Sequence, residues 1–90
     1  MHLLCRNRVA HYSKWKAVFT SHKDAHCNAG LRLVRLWRDV ADPKNVFFLF
    51  EVERAEKAKE FISNPDAAKA AKASGVIEGE YHLLEDAGGY

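Results

Sequence analysis

The run Val46-Phe47-Phe48-Leu49-Phe50-Glu51-Val52 constrains the fold of this chain more than any other feature. It is filled with β-branched and aromatic residues, and the turn-forming stretch Ala41-Asp42-Pro43-Lys44-Asn45 stands before it, which predicts a strand. Successive side chains of a strand point to opposite faces. Val46, Phe48, Phe50 and Val52 therefore share one face, and Phe47 and Leu49 share the other. A strand apolar on both sides belongs in a sheet covered on both sides.

The segments around it indicate what the first cover is. Leu3 to Val9 alternates, with Leu3, Cys5, Asn7 and Val9 on one face and Leu4, Arg6 and Arg8 on the other, which predicts a strand. From Tyr12 the period becomes helical: Tyr12, Trp15, Phe19, His22 and His26 form a stripe that Val18, Ala25 and Ala29 widen, and Gly30 ends it. Leu31 to Asp39 is expected to be a second strand. Arg54 to Ile62 is expected to be a helix, with Glu53 spaced to pair with Lys57. Asn64 and Pro65 open a further helix through Ala73, as N-cap and first helical residue. A last strand is expected over Glu78 to Glu85. The order is β-α-β-β-α-β, the ferredoxin-like α+β plan, in which a four-stranded antiparallel sheet carries its helices on one face. Nothing in one chain covers the other face. A second copy supplies that cover most simply, so a homodimer packed through the sheet face is expected, because Leu4, Phe47 and Leu49 would otherwise form an exposed apolar patch.

Composition bounds the rest. At 90 residues the chain is one domain, residues 1–90, and buries about 64% of its unfolded surface. Fourteen Lys and Arg against 12 Asp and Glu leave a net charge of +2, which lacks the concentrated positive field of a nucleic-acid or anionic-membrane binder. No run is long enough to span a bilayer, and the first residues carry no export signal, so a cytoplasmic location is expected. Cys5 and Cys27 are expected to be reduced thiols, Cys5 as a small core hydrophobe.

Candidate chemistry gathers on the first helix. His22 and His26 sit one turn apart on the same stripe as Trp15 and Phe19, and imidazoles on an apolar face need hydrogen-bond partners. They suggest a polar spot in an aromatic pocket between helix and sheet. His22 is the candidate general base, and either His22 or His26 could hold an acidic or phenolic hydroxyl. The blander possibility is that His22 is a hydrogen-bonded core residue and His26 edges out to solvent near the helix end. Asn7, which interrupts an apolar strand face, is expected to line the same cavity, as are Tyr81, His82 and Trp37. A metal held by His22, His26 and His82 is the sharper alternative, but no carboxylate or cysteine cluster completes such a site, and Lys23 stands where a metalloprotease base would be. Neither a metal nor a bound cofactor is expected.

The run Tyr12-Ser13-Lys14-Trp15-Lys16-Ala17-Val18-Phe19, with His22, Ala29-Gly30-Leu31, Arg38 to Asn45, the apolar strand ending at Glu51, and Ala55 to Pro65, is similar to the small dimeric α+β barrel proteins. That superfamily includes antibiotic-biosynthesis monooxygenases, cyclase-like proteins and stress-responsive barrels. The resemblance spans Leu3 to about Glu85 and implies the fold and the dimer. His11 and Arg54 depart from it, standing at helix starts where an acidic cap is usual. No catalytic set of the superfamily maps onto this sequence residue by residue. Three functions therefore stay open: a protein binding a small hydrophobic or aromatic molecule, a cofactor-independent monooxygenase or cyclase/isomerase-like enzyme, and a structural dimer without ligand. The RNA-recognition motif has the same topology, and Leu3 to Asn7 and Lys44 to Phe48 resemble its strand signatures. The first strand has no aromatic on which a base could stack.

Overall fold

The computed structural model describes residues 1–89. Its elements run β1 (His2–Val9), α1 (Tyr12–Ser21), α2 (Lys23–Asn28), β2 (Leu31–Arg38), β3 (Asn45–Val52), α3 (Ala55–Ser63), α4 (Pro65–Ala73) and β4 (Val76–Leu84). The four strands form one sheet in the order β2-β3-β1-β4, and every neighbouring pair is antiparallel. This is the ferredoxin-like α+β arrangement that the alternation predicts, with β1 and β2 parallel and β3 between them.

The core lies on the face that the helices cover. Leu3, Cys5 and Val9 of β1, Val46, Phe48, Phe50 and Val52 of β3, Leu31 of β2, Trp15 of α1 and Ala58 of α3 are its buried apolar residues. Partly buried Tyr12, Phe19, Leu36, Phe61, Ile62 and Leu83 pack around them. The opposite face of the sheet carries Leu4, Arg6 and Arg8 of β1 beside Phe47 and Leu49 of β3. Those apolar residues are half-buried, since strands flank them on both sides, and Trp37, at 45% exposure, extends the patch onto β2.

The long first helix of the sequence pattern is two helices, broken at His22. The Val18 carbonyl there accepts from Ser21 Oγ at 2.6 Å and from His22 Nδ1 at 2.8 Å. Such side-chain donors compete with the backbone ladder. The His22 amide bonds Phe19 O, tightening the last turn, and α2 restarts with the His26 amide on His22 O. At Gly30 the chain takes φ 72°, the left-handed geometry that ends a helix without a Cβ penalty. The Asn64 side chain accepts from the Asp66 amide at 2.8 Å and caps α4, whereas His11 and Arg54 make no side-chain cap. Glu53 lies outside α3 and does not pair with Lys57. Its backbone amide bonds Gly30 O.

Two residues expected in the cavity face the other way. In β2 an irregularity between Leu33 and Arg35 inserts Val34 as an extra residue, so Leu36 pairs with buried Phe48 and Trp37 with outward Phe47. Without that bulge Trp37 would share the face of Leu33. His82 pairs with Leu4 and neighbours Tyr81, which pairs with buried Cys5. Adjacent strand residues point to opposite faces, so Tyr81 and His82 cannot both enter one cavity.

Candidate functional site

Between the sheet and the two helix pairs lies a cavity of about 530 Å³, within the size range of small-molecule sites. It exists because α4 presents no large apolar side chain there. Ala67, Ala70, Ala71 and Ser74 recur at helical spacing along its wall, and no large residue reaches across to Leu3 and Cys5 on β1. The facing wall, from α1 and β3, is Trp15, Phe19, Phe48 and Phe50. Trp15 is 2% exposed and stacks on Phe19 with ring centroids 4.7 Å apart, while Phe19 meets Phe48 edge-on at 5.1 Å.

Asn7 forms the polar floor. Its amide oxygen accepts from Trp15 Nε1 at 3.2 Å and its NH₂ group donates to the Arg6 carbonyl at 3.1 Å. Asn7 thus finds its partner in an indole across the cavity floor. Gly79 leaves room for the amide, since a Cβ there would stand 3.0 Å from the Asn7 side chain. Asn7 fixes the tilt of Trp15 and so the shape of the aromatic wall.

The two histidines line the cavity, His22 from the break between α1 and α2 and His26 from α2. A carbonyl only accepts, so the His22–Val18 bond places the proton on Nδ1 and leaves Nε2 of the neutral ring with its lone pair. His26 sits among three rings, with centroids 4.9 Å from Phe19, 5.1 Å from Phe50 and 5.6 Å from Phe61. Burial, and secondarily the neighbouring charge of His22, hold its pKa below the ordinary histidine value, so His26 is neutral at pH 7. The half-exposed Tyr81 hydroxyl is pushed up by desolvation, with Cys5 adding to it, and remains a proton donor. Burial pushes the Cys5 thiol up to about 12, which keeps it an unreactive wall atom.

The structure brings Asn7, Trp15, Phe19, His22, His26 and Tyr81 to one cavity and places His82 outside it. With His82 on the other face of the sheet, the three-histidine metal arrangement is not formed, and no cluster of three or more ligating side chains occurs among the described residues. Sequence reasoning missed Phe61 and the alanine wall of α4. The absence of any large apolar residue over Pro65–Ala73 was the available signal. The mouth carries Lys57 and Glu60 of α3 with Asp66 of α4. No helix is long and apolar enough to cross a membrane.

No family model matches the chain, and no curated protein matches it by sequence. Solved structures do match. One is SnoaB, a cofactor-independent oxygenase from Streptomyces nogalater, at TM-score 0.74 and 14% identity, over 98% of this chain and 93% of that one. A second is an antibiotic biosynthesis monooxygenase-like protein from Deinococcus radiodurans, at TM-score 0.68 and 12% identity, over 100% and 96% of the two chains. A third is an uncharacterized NIPSNAP domain protein from Burkholderia xenovorans, at TM-score 0.63 and 13% identity, over 97% and 96%. Across its whole length, the chain has the fold of the antibiotic biosynthesis monooxygenase-like structures.

Proposed function

We propose that this protein binds a small hydrophobic, aromatic molecule in the cavity, with an ionisable hydroxyl of the ligand set against His22 Nε2. The observation that carries the reading is the 2.8 Å contact of His22 Nδ1 with the Val18 carbonyl, which requires a proton on Nδ1 and leaves the other ring nitrogen of this cavity-lining residue, beside Trp15 and Phe19, free to accept. Neutral His26 adds a second polar edge one turn away, and Asn7 holds Trp15 flat against the ligand's place. The same geometry supports the enzymatic alternative, a cofactor-independent monooxygenase or cyclase/isomerase-like activity, because an acceptor nitrogen beside a phenol is a general base. The similarity to SnoaB, described as a cofactor-independent oxygenase, favours it.

The active form in this proposal is a homodimer through the bare sheet face. The single chain exposes 6286 Å², well above the roughly 5,300 Å² expected of a monomer of this mass. The exposed tail beyond Leu84, the open cavity and the sheet face share the excess. Four strands about 4.8 Å apart and eight residues long give a face of roughly 500 Å² in projection per copy, enough for a small specific interface. Free thiols at Cys5 and Cys27 fit a reducing compartment, the cytoplasm.

The test uses 1-naphthol, a two-ring phenol. In the Trp37→Phe variant the one remaining tryptophan is Trp15, in the cavity wall, and its fluorescence is expected to be quenched saturably. 1-Methoxynaphthalene, which has no hydroxyl to donate, is expected to bind about tenfold more weakly. His22→Ala is expected to erase that preference. Equal binding of the two compounds, or no quenching, would overturn the reading. If a substrate is turned over, loss of turnover in His22→Ala marks the enzyme, and weakened binding alone marks the carrier.

A further inference from the structure

The helix layer stops short of the β2 edge of the sheet. Leu33 and Leu36 pair with Phe50 and Phe48, so both belong to the inner, helix-covered face. Leu31 on that face is 4% exposed, yet Leu33 is 42% exposed. The reason lies above them: α1 ends at Ser21, and the short α2 that follows buries none of its side chains. The result is a groove of about 850 Å³ between α1, α2 and β2, within the size range of small-molecule sites. Leu31, Leu33 and Leu36 form its floor, and the rings of Phe19, His26 and Phe50, which line both spaces, stand between it and the cavity of the candidate site.

The rim of this groove is charged unevenly. Along its helical wall stand Lys16, Thr20 and Lys23, at the four- and three-residue intervals that put side chains on one helix face. Neither lysine has an ion pair among the described residues. Across the groove Arg32 and Glu51 satisfy each other. The remaining carboxylate, Glu53, lies at the far end, where its Oε2 would stand 3.7 Å from a Cβ on Gly30. An anion is therefore drawn to the Lys16–Thr20–Lys23 end and turned away from the Gly30 end. A strand of another chain does not suit this edge. β2 carries Arg32, Arg35, Arg38 and the bulge at Val34, devices by which edge strands deter pairing.

We propose that this groove is a second ligand site, separate from the cavity, for a single-chain amphipathic carboxylate, with the carboxylate between Lys16 and Lys23 and the hydrocarbon chain along Leu33, Leu36 and Phe50. The Thr20 hydroxyl donates to the same head group. The chain takes the exposed inner-face leucine out of water, and the head group supplies the counter-charge that neither lysine finds within the protein. From Leu31 to Leu36 the floor runs roughly 13–16 Å, with one residue taken up by the bulge, room for an extended chain of about ten carbons. The site stands independently of the function proposed above, and either holds without the other.

The test reads Cys27, an exposed thiol that lines the same groove. Its alkylation by iodoacetamide, a small neutral reagent, is followed by mass on the full chain with and without sub-micellar decanoate. Decanoate is expected to slow the reaction saturably, while decyltrimethylammonium, with the same chain and the opposite charge, gives no protection. Combining Lys16→Gln with Lys23→Gln should weaken the decanoate protection about tenfold, the worth of a hydrogen bond to a charged group. Leu33→Asp should abolish it. Ala70→Phe, which fills the cavity from α4, should leave it intact, and loss of protection there would place decanoate in the cavity and overturn the second site. Equal protection by the two amphiphiles, or protection unchanged in the lysine variant, would overturn it as well. So would a Cys27 that reacts slowly without any ligand, because the groove would then already be covered.

Discussion

The Asn7–Trp15 contact is open to a quantitative test. Asn7 is 5% exposed and Trp15 2% exposed, and the indole N–H and the amide oxygen are paired at 3.2 Å. Trp15→Phe removes the donor and leaves a buried amide oxygen without a partner, which costs about 1–3 kcal/mol. The lost ring contacts with Phe19 bring the total to about 2–4 kcal/mol. Asn7→Leu leaves the Trp15 N–H unpaired, at about 1–3 kcal/mol less whatever the added apolar burial returns. In the double variant neither orphan exists, so its destabilisation should fall short of the sum by about 1–2 kcal/mol. The assay is urea unfolding of the four proteins at one protomer concentration, since self-association shifts apparent stability. For a domain of this size each kcal/mol should also move the melting temperature by about 4–8 °C. Costs that add to within about 0.5 kcal/mol would refute the hydrogen bond and, with it, the role of Asn7 in shaping the aromatic wall.

Other consequences are simpler to state. His26 has a depressed pKa in the folded protein, so the unfolded chain binds its proton first as pH falls. The stability this group contributes is complete above about pH 6.5 and is lost as the pH drops below that value, and His26→Phe should flatten the denaturation free energy measured between pH 7 and 5. Cys27 is exposed and Cys5 is held protonated, so a thiol reagent should modify one cysteine per native chain quickly and the second only on unfolding. Ala70→Phe projects into the cavity from α4 and should abolish 1-naphthol quenching while leaving the far-ultraviolet circular dichroism unchanged. Unaltered binding would place the ligand elsewhere.

Legibility in the sequence followed from how local each determinant is. Strand parity is a local property, so the two faces of β1 and β3 follow directly from Leu3 to Val9 and Val46 to Val52. So do the α4 cap at Asn64 and the helix stop at Gly30, each of which rests on one residue's own chemistry. The bulge at Val34 is different: it depends on how β2 docks on β3, and one inserted residue is enough to move Trp37 from the cavity to the outer face. The break at His22 arises because Ser21 and His22 side chains both turn back to Val18, a choice that the apolar stripe does not encode. His82 needed only consistency, since Tyr81 beside it was already assigned inward. The cavity's far wall escaped notice because it is made by what α4 lacks, and the pattern of large apolar residues is silent about alanines.

We propose that this sheet, with apolar side chains on both faces, is covered twice, once by its own helices and once by another copy. Sedimentation equilibrium of the full chain at about 10 μM, beside the outward-facing Leu49→Glu variant, tests it most directly. About twice the 10.2 kDa chain mass is expected for the parent protein and a folded single chain for the variant. A parent protein that sediments at the single-chain mass, with the same circular dichroism as the variant, would contradict it.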